Sequence, residues 1–424
     1  MTTRSTLRAG DAAVEVLVRA GVRRFYTVPG ESFLEVIDAV EEHPALSLVS
    51  TRHESGASFM AEADAKLTGV PAVAMATRGV GASNLAIGVH TAMQDSTPMV
   101  VLLGHVERHF LGREAFQEVD LAAFYAPISK WAVTVHSADR VAEYVERGLR
   151  IATSGRPGPV MLALPADILG EGVTVQDARA GAPRPVRPLP SAEEVQSVAR
   201  KLSEAQRPVM IVGGGAGHAR DELLALAEAF DVGVYAAFRR QDVFPNEHPL
   251  YLGHLTLATP PDTLKALEEA DVVLVVGSRL DEVTTQSYEL PRRDQAVIQV
   301  DVDPGEIGAT IPVEHGFVAD TRAALTSVVA QAPSTKLARD WSTAHRAYLD
   351  SSSIPASRTA DGIDPAQVIA SFREVLPEDV LFANDAGNFS AFLHRYWRYN
   401  HPHTQLAPAN GAMGYGVPAA VAAK

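Results

Sequence analysis

The residue whose setting most suggests chemistry is Glu54, in the stretch LSLVSTRHESGASFMAEADAKLTG (46–69). Leu46 to Val49 is an apolar run that reads as a buried strand. Helical periodicity starts near His53 and puts Ala57, Met60, Ala61 and Ala65 on one face. Glu54 therefore stands where a strand hands over to a helix. A carboxyl is one of the side chains that can serve as a general acid or base. The same placement also serves a plainer purpose, since an acid in a first helical turn complements the helix dipole. Other stretches have the right types for a site: the turn Val28-Pro29-Gly30-Glu31, the helix start Gly79-Val80-Gly81 with Asn84, and the loop Gly112 to Asp120 with Phe116 and Gln117. So do Gly387-Asn388 at a helix start, and Asn410 to Pro418 with Gly411 and Met413. Each has an ordinary reading as turn, cap, surface loop or core filler. His105 and His109 read as surface or loop residues.

Composition narrows the classes. The chain has 424 residues, room for two or three domains, and 46% hydrophobic residues, enough for sizeable cores. Its net charge of −14 argues against nucleic-acid or anionic-membrane partners. It has no cysteine, so disulfides, thiolate metal sites and a cysteine nucleophile are excluded. That fits a reducing cytoplasm, the expected location. No apolar run approaches a membrane span, and the N-terminus has helix periodicity rather than a secretion signal.

These residues must be positioned by elements that alternate. Apolar strands are expected at Phe25 to Val28, Leu46 to Val49, Val70 to Ala76, Pro98 to Leu103 and Val160 to Leu164, with helices between, the first over residues 6–20. This is the pattern of a parallel sheet covered on both faces. The fold class is α/β, with three-layer parallel-sheet units in series. Residues 1–175 form the first unit and 176–190 a proline-rich linker. Residues 191–334 form a central Rossmann-like unit, with strands Pro208 to Val212, Asp271 to Val276 and Ala296 to Val302. Its Gly213 to Gly217 turn has the spacing of a weak dinucleotide fingerprint, with Asp231 near the distance of a ribose acid. Residues 335–363 read as a second linker, and 364–424 begin a third unit.

Taken in order, VPGESFLEVIDAV (28–40), RHESGASFMAEADAKLTG (52–69), TRGVGASNLAIGVHTAMQDSTPMVVLLG (77–104), GREAFQEVD (112–120), GRPGPVMLALPADI (155–168) and GNFSAF…NGAMGYGVPAA (387–420) carry a likeness. They resemble the thiamine-diphosphate enzymes, in particular the acetolactate synthase-like group. The resemblance implies that residues 1–175 are the pyrimidine-binding domain and 364–424 the start of a diphosphate-binding domain. It implies thiamine diphosphate as cofactor and a 2-oxo acid as substrate, decarboxylated and then ligated to an acceptor or protonated. Glu54 would bond the pyrimidine N1′ and, with Gln117, form the catalytic pair. Pro29, Gly30, Gly387, Asn388, Gly411 and Met413 would contact the cofactor, Met413 bending it and the Gly411 carbonyl taking its 4′-amine. Glu31, Phe116 and Gln117 would line the substrate pocket. A homodimer or homotetramer with the active site between subunits is also implied.

The sequence departs from the family in places. Glu31 stands where a second glycine is usual, Val80 where a proline is, and Asn388 where glutamine is. The family's Gly-Asp-Gly motif has no equivalent in place, so no metal ligand is assigned within the chain and those for Mg²⁺ are expected beyond Lys424. Some members hold FAD or ADP in the central domain; the expectation here is neither, with FAD the alternative. Two other functions compete: a non-catalytic or regulatory paralogue, and a nucleotide-dependent oxidoreductase using the central turn.

Overall fold

The computed structural model describes residues 6–174, 185–356, 359 and 362–424. Most of the 176–190 linker thus lies outside the described residues. The chain divides into two compact units. The first is Met1–Val186 with Ala383–Asp385 and Pro408–Lys424; the second is Arg187–Phe382 with Ala386–Ala407.

The first unit is built on six parallel strands: β1 (Arg24–Thr27), β2 (Ser47–Ser50), β3 (Ala72–Thr77), β4 (Met99–His105), β5 (Trp131–Thr134) and β6 (Pro159–Pro165). Their order across the sheet is β2-β1-β3-β4-β6-β5. The central strands β3, β4 and β6 are apolar and almost wholly buried, as residues covered on both faces must be. Edge strand β5 is only half-buried, which is why its apolar signal is weak. The helices include α1 (Ala9–Arg19), α2 (Leu34–Glu42), α3 (Glu54–Thr68) and α4 (Arg78–Asp95). The expected helix over 6–20 starts only at Ala9. The Arg8 amide donates to Asp11 Oδ2 at 2.9 Å, and Thr6–Arg8 instead pairs antiparallel with Gly172–Thr174.

Helices α3 and α4 meet at unusually short range. A Cβ on Gly88 would overlap the Ser58 side chain and lie 2.8 Å from the Ser58 carbonyl carbon. Farther along, Lys66 Nζ is 2.9 Å from both Glu62 Oε1 and Asp95 Oδ2, with both carboxylates buried. Glu62 also accepts hydrogen bonds from Thr97 Oγ1 (2.7 Å) and the Tyr415 hydroxyl (2.6 Å), and the Ala409 amide donates to Asp95. Two buried carboxylates facing one ammonium are tolerable only with such extra donors.

The second unit has six parallel strands: β7 (Pro208–Val212), β8 (Gly233–Ala236), β9 (Tyr251–His254), β10 (Val272–Val276), β11 (Ala296–Asp301) and β12 (His315–Val318). The order β9-β8-β7-β10-β11-β12 is that of dinucleotide-binding folds. The ribose acid is nevertheless missing. Asp231 ends the helix Arg220–Phe230 before β8, at φ +54°, and its carboxylate accepts the Arg339 amide at 2.6 Å. Strand β8 itself ends in Ala236, which is followed by Ala237. Arg240 also crowds the turn, its Nε 2.6 Å from where a Cβ on Gly214 would be.

The stretch 335–363, expected as a linker, carries a helix, Ser342–Ser351, and Trp341 and Tyr348 are buried in the second unit's core. Arg339 reaches the carbonyls of Leu202 (2.9 Å) and Ala205 (2.6 Å) and those of Phe230 and Asp231. One guanidinium thus closes the C-termini of two helices. Residues 364–424 are shared between the two units. The part with the second is held by a reciprocal amide pair, Gln241 N–H to Gln405 Oε1 and Gln405 Nε2–H to Gln241 Oε1, both 2.9 Å.

The close approach of α3 and α4 makes position 88 intolerant of any side chain. Gly88→Ala should lower unfolding free energy by about 1–3 kcal/mol, the range for overpacking a tight contact. Chemical denaturation of the two proteins measures it; equal midpoints would show that the helices can part at no cost.

Candidate active site

The carboxyl ends of parallel strands are where α/β folds bind ligands. In the first unit, β1 runs into Val28-Pro29-Gly30-Glu31, β2 into Glu54, β3 into α4, and β4 into the loop before Asp120. These connections interlock. A Cβ on Gly30 would lie 2.6 Å from Thr77 Cβ, and one on Gly104 would lie 2.7 Å from the Ser32 carbonyl oxygen. Glycine is required at both places, because the Thr77 side chain stands where one Cβ would be and Ser32 where the other would. Pro29 and Glu31 are exposed on this edge.

Glu54 opens α3 just after its N-cap, His53, whose Nδ1 accepts the Ser55 amide at 3.2 Å. The Glu54 side chain crosses to α4. Its Oε2 accepts a hydrogen bond from Asn84 Nδ2 at 2.9 Å, and its Oε1 lies 3.3 Å from where a Cβ on Gly81 would be. The hydrogen bonds described for Glu54's carboxylate engage Oε2 alone, which leaves Oε1 for a ligand. A half-buried carboxyl with one oxygen fixed and one available can share a proton with a ring nitrogen.

The loop before Asp120 joins the same helix start. The Gly79 amide donates to the Gln117 carbonyl at 2.9 Å, and Arg78 Nη1 to the Phe116 carbonyl at 3.3 Å. Glu118 gathers the loop by accepting the amides of Gly112 (2.6 Å) and Ala115 (2.8 Å). Those bonds hold its carboxyl below the usual range, the Gly112 amide contributing most. The backbone is left-handed at Glu114 (φ +57°) and Gln117 (φ +64°), uncommon for residues with side chains. The structure thus brings Glu54 and the Phe116-Gln117 backbone to the first turns of one helix. Phe116 itself is 76% exposed.

Gly411 and Met413 belong to a turn that Asn410 anchors elsewhere along α4. Asn410 Nδ2 donates to Thr91 Oγ1 at 3.1 Å and is 3.0 Å from His90 Nδ1. Thr91 is seven residues beyond Asn84, about 10 Å along the axis. Gly411 has φ +69°, a turn glycine, and Met413 is 76% exposed. No contact between either of these residues and Glu54 is described. Gly387 (φ +149°) and Asn388 open the helix Asn388–Tyr396 in the second unit. Among the described residues no three His, Asp or Glu side chains gather into a metal-binding group.

Two residues stand apart from their sequence readings. Asn84, read only as part of a helix-start nest, is the partner of Glu54. His105, read as surface or loop, is 3% exposed at the end of β4. Burial pushes its imidazole below the ordinary histidine range, and its Nδ1 has no partner among the described residues. The apolar run Met99 to Leu103 continuing into it was the available signal.

Comparison with known proteins agrees with this architecture. The model for the N-terminal TPP binding domain of thiamine pyrophosphate enzymes matches residues 7–124, and that for their central domain matches residues 195–328. The probable acetolactate synthase large subunit of Methanocaldococcus jannaschii is 29% identical, over 99% of this chain and 73% of the relative. The acetolactate synthase of Mycobacterium bovis is 31% identical over 99% of this chain and 69% of its own length. The acetolactate synthase isozyme 1 large subunit of Escherichia coli is 29% identical over 99% and 75%. Two matched domains in series and a likeness sustained over nearly the whole chain mean that this protein belongs to the thiamine pyrophosphate enzyme family, among its acetolactate synthase-like members.

Proposed function

We propose that the chain decarboxylates a 2-oxo acid and joins the resulting fragment to a carbonyl acceptor, as an acetolactate synthase-like carboligase. The observation that carries this is the Glu54 carboxylate, with Oε2 fixed on α4 and Oε1 left for a ligand. Bound thiamine diphosphate would supply a thiazolium that accepts the electron pair released as carbon dioxide leaves. The protein's own work is to place and move protons around it. Glu54 Oε1 holds the proton shared with the pyrimidine N1′. Pro29 and Gly30 would border the pyrimidine, the Gly411 carbonyl would take its amine, and Met413 would support the cofactor from its apolar side. The amides at Gly387 and Asn388 open a helix and suit a diphosphate oxygen. Glu31, Phe116 and Gln117 would form the substrate side, with Gln117 as the second catalytic group.

A site completed by a second copy supports a homodimer, which can pair into a tetramer. Met413 and Phe116, both large and apolar, are each 76% exposed, and the turn that holds Gly411 and Met413 is anchored through Asn410 to Thr91, about two turns beyond Asn84 on α4. Mg²⁺ is expected with the diphosphate; no described residue is assigned to it and no step is drawn through it. No flavin is assigned to the central unit, where Arg240 lies against the glycine turn. No helix among the described residues is long and apolar enough to cross a membrane. A cytoplasmic location is part of the proposal.

Glu54→Gln should leave the melting temperature within a few degrees of the parent and reduce turnover roughly 10²–10⁴-fold. Full turnover with added thiamine diphosphate would remove Glu54 from the mechanism. Carbon dioxide release should be seen with pyruvate or another simple 2-oxo acid; release from none of a panel, alongside cleavage of an acyloin or acyl-CoA, would move the enzyme elsewhere in the family. For the shared site, Glu54→Ala and Met413→Asp proteins, each inactive, should complement when mixed and re-associated. Random pairing gives half mixed dimers with one intact site each, about a quarter of parental activity. No recovery after verified exchange would place both residues in a site within one chain.

A further inference from the structure

Asn84 lies one and a half turns into α4 and carries no obvious structural duty. Its side chain is exposed, and its described hydrogen bond is the one its Nδ2 donates to Glu54 Oε2 at 2.9 Å. A bond at so open a place adds little to folding. Its geometry is nonetheless tightly determined. Ser58 is four residues beyond Glu54, Gly88 is four beyond Asn84, and Ser58 and Gly88 are in close contact. One helical turn back along both helices therefore brings 54 and 84 face to face. Gly81, one turn before Asn84, presents no side chain to Oε1.

The chemistry of this pair is asymmetric. An ionised carboxylate can only accept, so the amide group must turn its NH₂ toward Oε2. Once Oε2 accepts from Asn84, a proton arriving on Glu54 belongs on Oε1, the oxygen that faces away from the amide. We infer that Asn84 is a positioning residue: it fixes the Glu54 rotamer and confines the mobile proton to Oε1, aimed at the cofactor's N1′. This rests on the assignment of Glu54 as the N1′ partner. When a bound cofactor and a second copy exclude water, the bond strengthens and its effect is felt where the proton moves.

The test uses the assembled enzyme and two ligands, thiamine diphosphate and its analogue with the pyrimidine N1′ replaced by C–H. Calorimetry gives the affinity for each, and their ratio reports the Glu54–N1′ bond independently of turnover. Asn84→Asp keeps size and shape but replaces the donor with a carboxylate oxygen, so a space-filling role would survive it. The expected result is an unchanged melting temperature, a preference for the N1′ ligand reduced about tenfold, and a fall in kcat with KM for the 2-oxo acid little altered. Asn84→Ala should show the same pattern, more weakly. On a Glu54→Gln background, Asn84→Asp should change the ratio no further. If Glu54→Gln itself keeps the full preference, Glu54 does not address N1′ and both readings fall. If Glu54→Gln loses it while Asn84→Asp keeps both the preference and kcat, the assignment of Glu54 stands and the role given to Asn84 is overturned.

Discussion

The first unit depends on how closely α3 and α4 approach at Ser58 and Gly88. The two helices follow strands that lie on either side of β1, and they run in the same sense. A contact with a glycine on one side sets both separation and register, because sliding by one residue would drive a side chain into backbone. From that contact the pairs follow in both directions. Toward the N-termini Glu54 meets Asn84; toward the C-termini Lys66 meets Asp95. The polar pairs do not create the approach. They occupy positions that it dictates.

The two ends of the helix pair are built with opposite chemistry. At the C-terminal end charge is fully engaged: Lys66 faces Glu62 and Asp95, with Thr97, Tyr415 and the Ala409 amide closing the remaining acceptors. Such a cluster resists rearrangement, since separating any member would leave buried charge without a partner. At the N-terminal end one carboxylate has a single neutral donor and a free oxygen. Rigid support below and spare hydrogen-bonding capacity above is what a group that exchanges protons with a ligand needs.

Much of this was legible in the chain of residues. Strands β3, β4, β7 and β10 are continuous apolar runs, and a strand buried on both faces leaves no other pattern. Glu54 was legible because strand and helix signals meet at it. The reading failed where the answer lies in register between elements. Asn84 looks like any polar residue in a helix start, and only the 58–88 contact turns it toward Glu54. Trp131 to Thr134 was missed because an edge strand is half exposed. The stretch 335–363 looked like a linker because its polar residues outnumber Trp341 and Tyr348, although those two rings decide where it packs. His105 was misread because a histidine is ordinarily a surface residue, although the apolar run Met99 to Leu103 leads straight into it.

Arg339 has a consequence for how the polypeptide can be divided. Its guanidinium serves the ends of helices Ala192–Glu204 and Arg220–Phe230 from a position beyond the last strand of the second unit. A recombinant fragment stopped at residue 334 would contain every strand of that sheet and still be unfinished. Four carbonyls would lose their donor, and the places of Trp341 and Tyr348 would open to water. A cut after the Ser342–Ser351 helix would keep that donor and both rings, so expression boundaries drawn from the sheet alone fall one staple short.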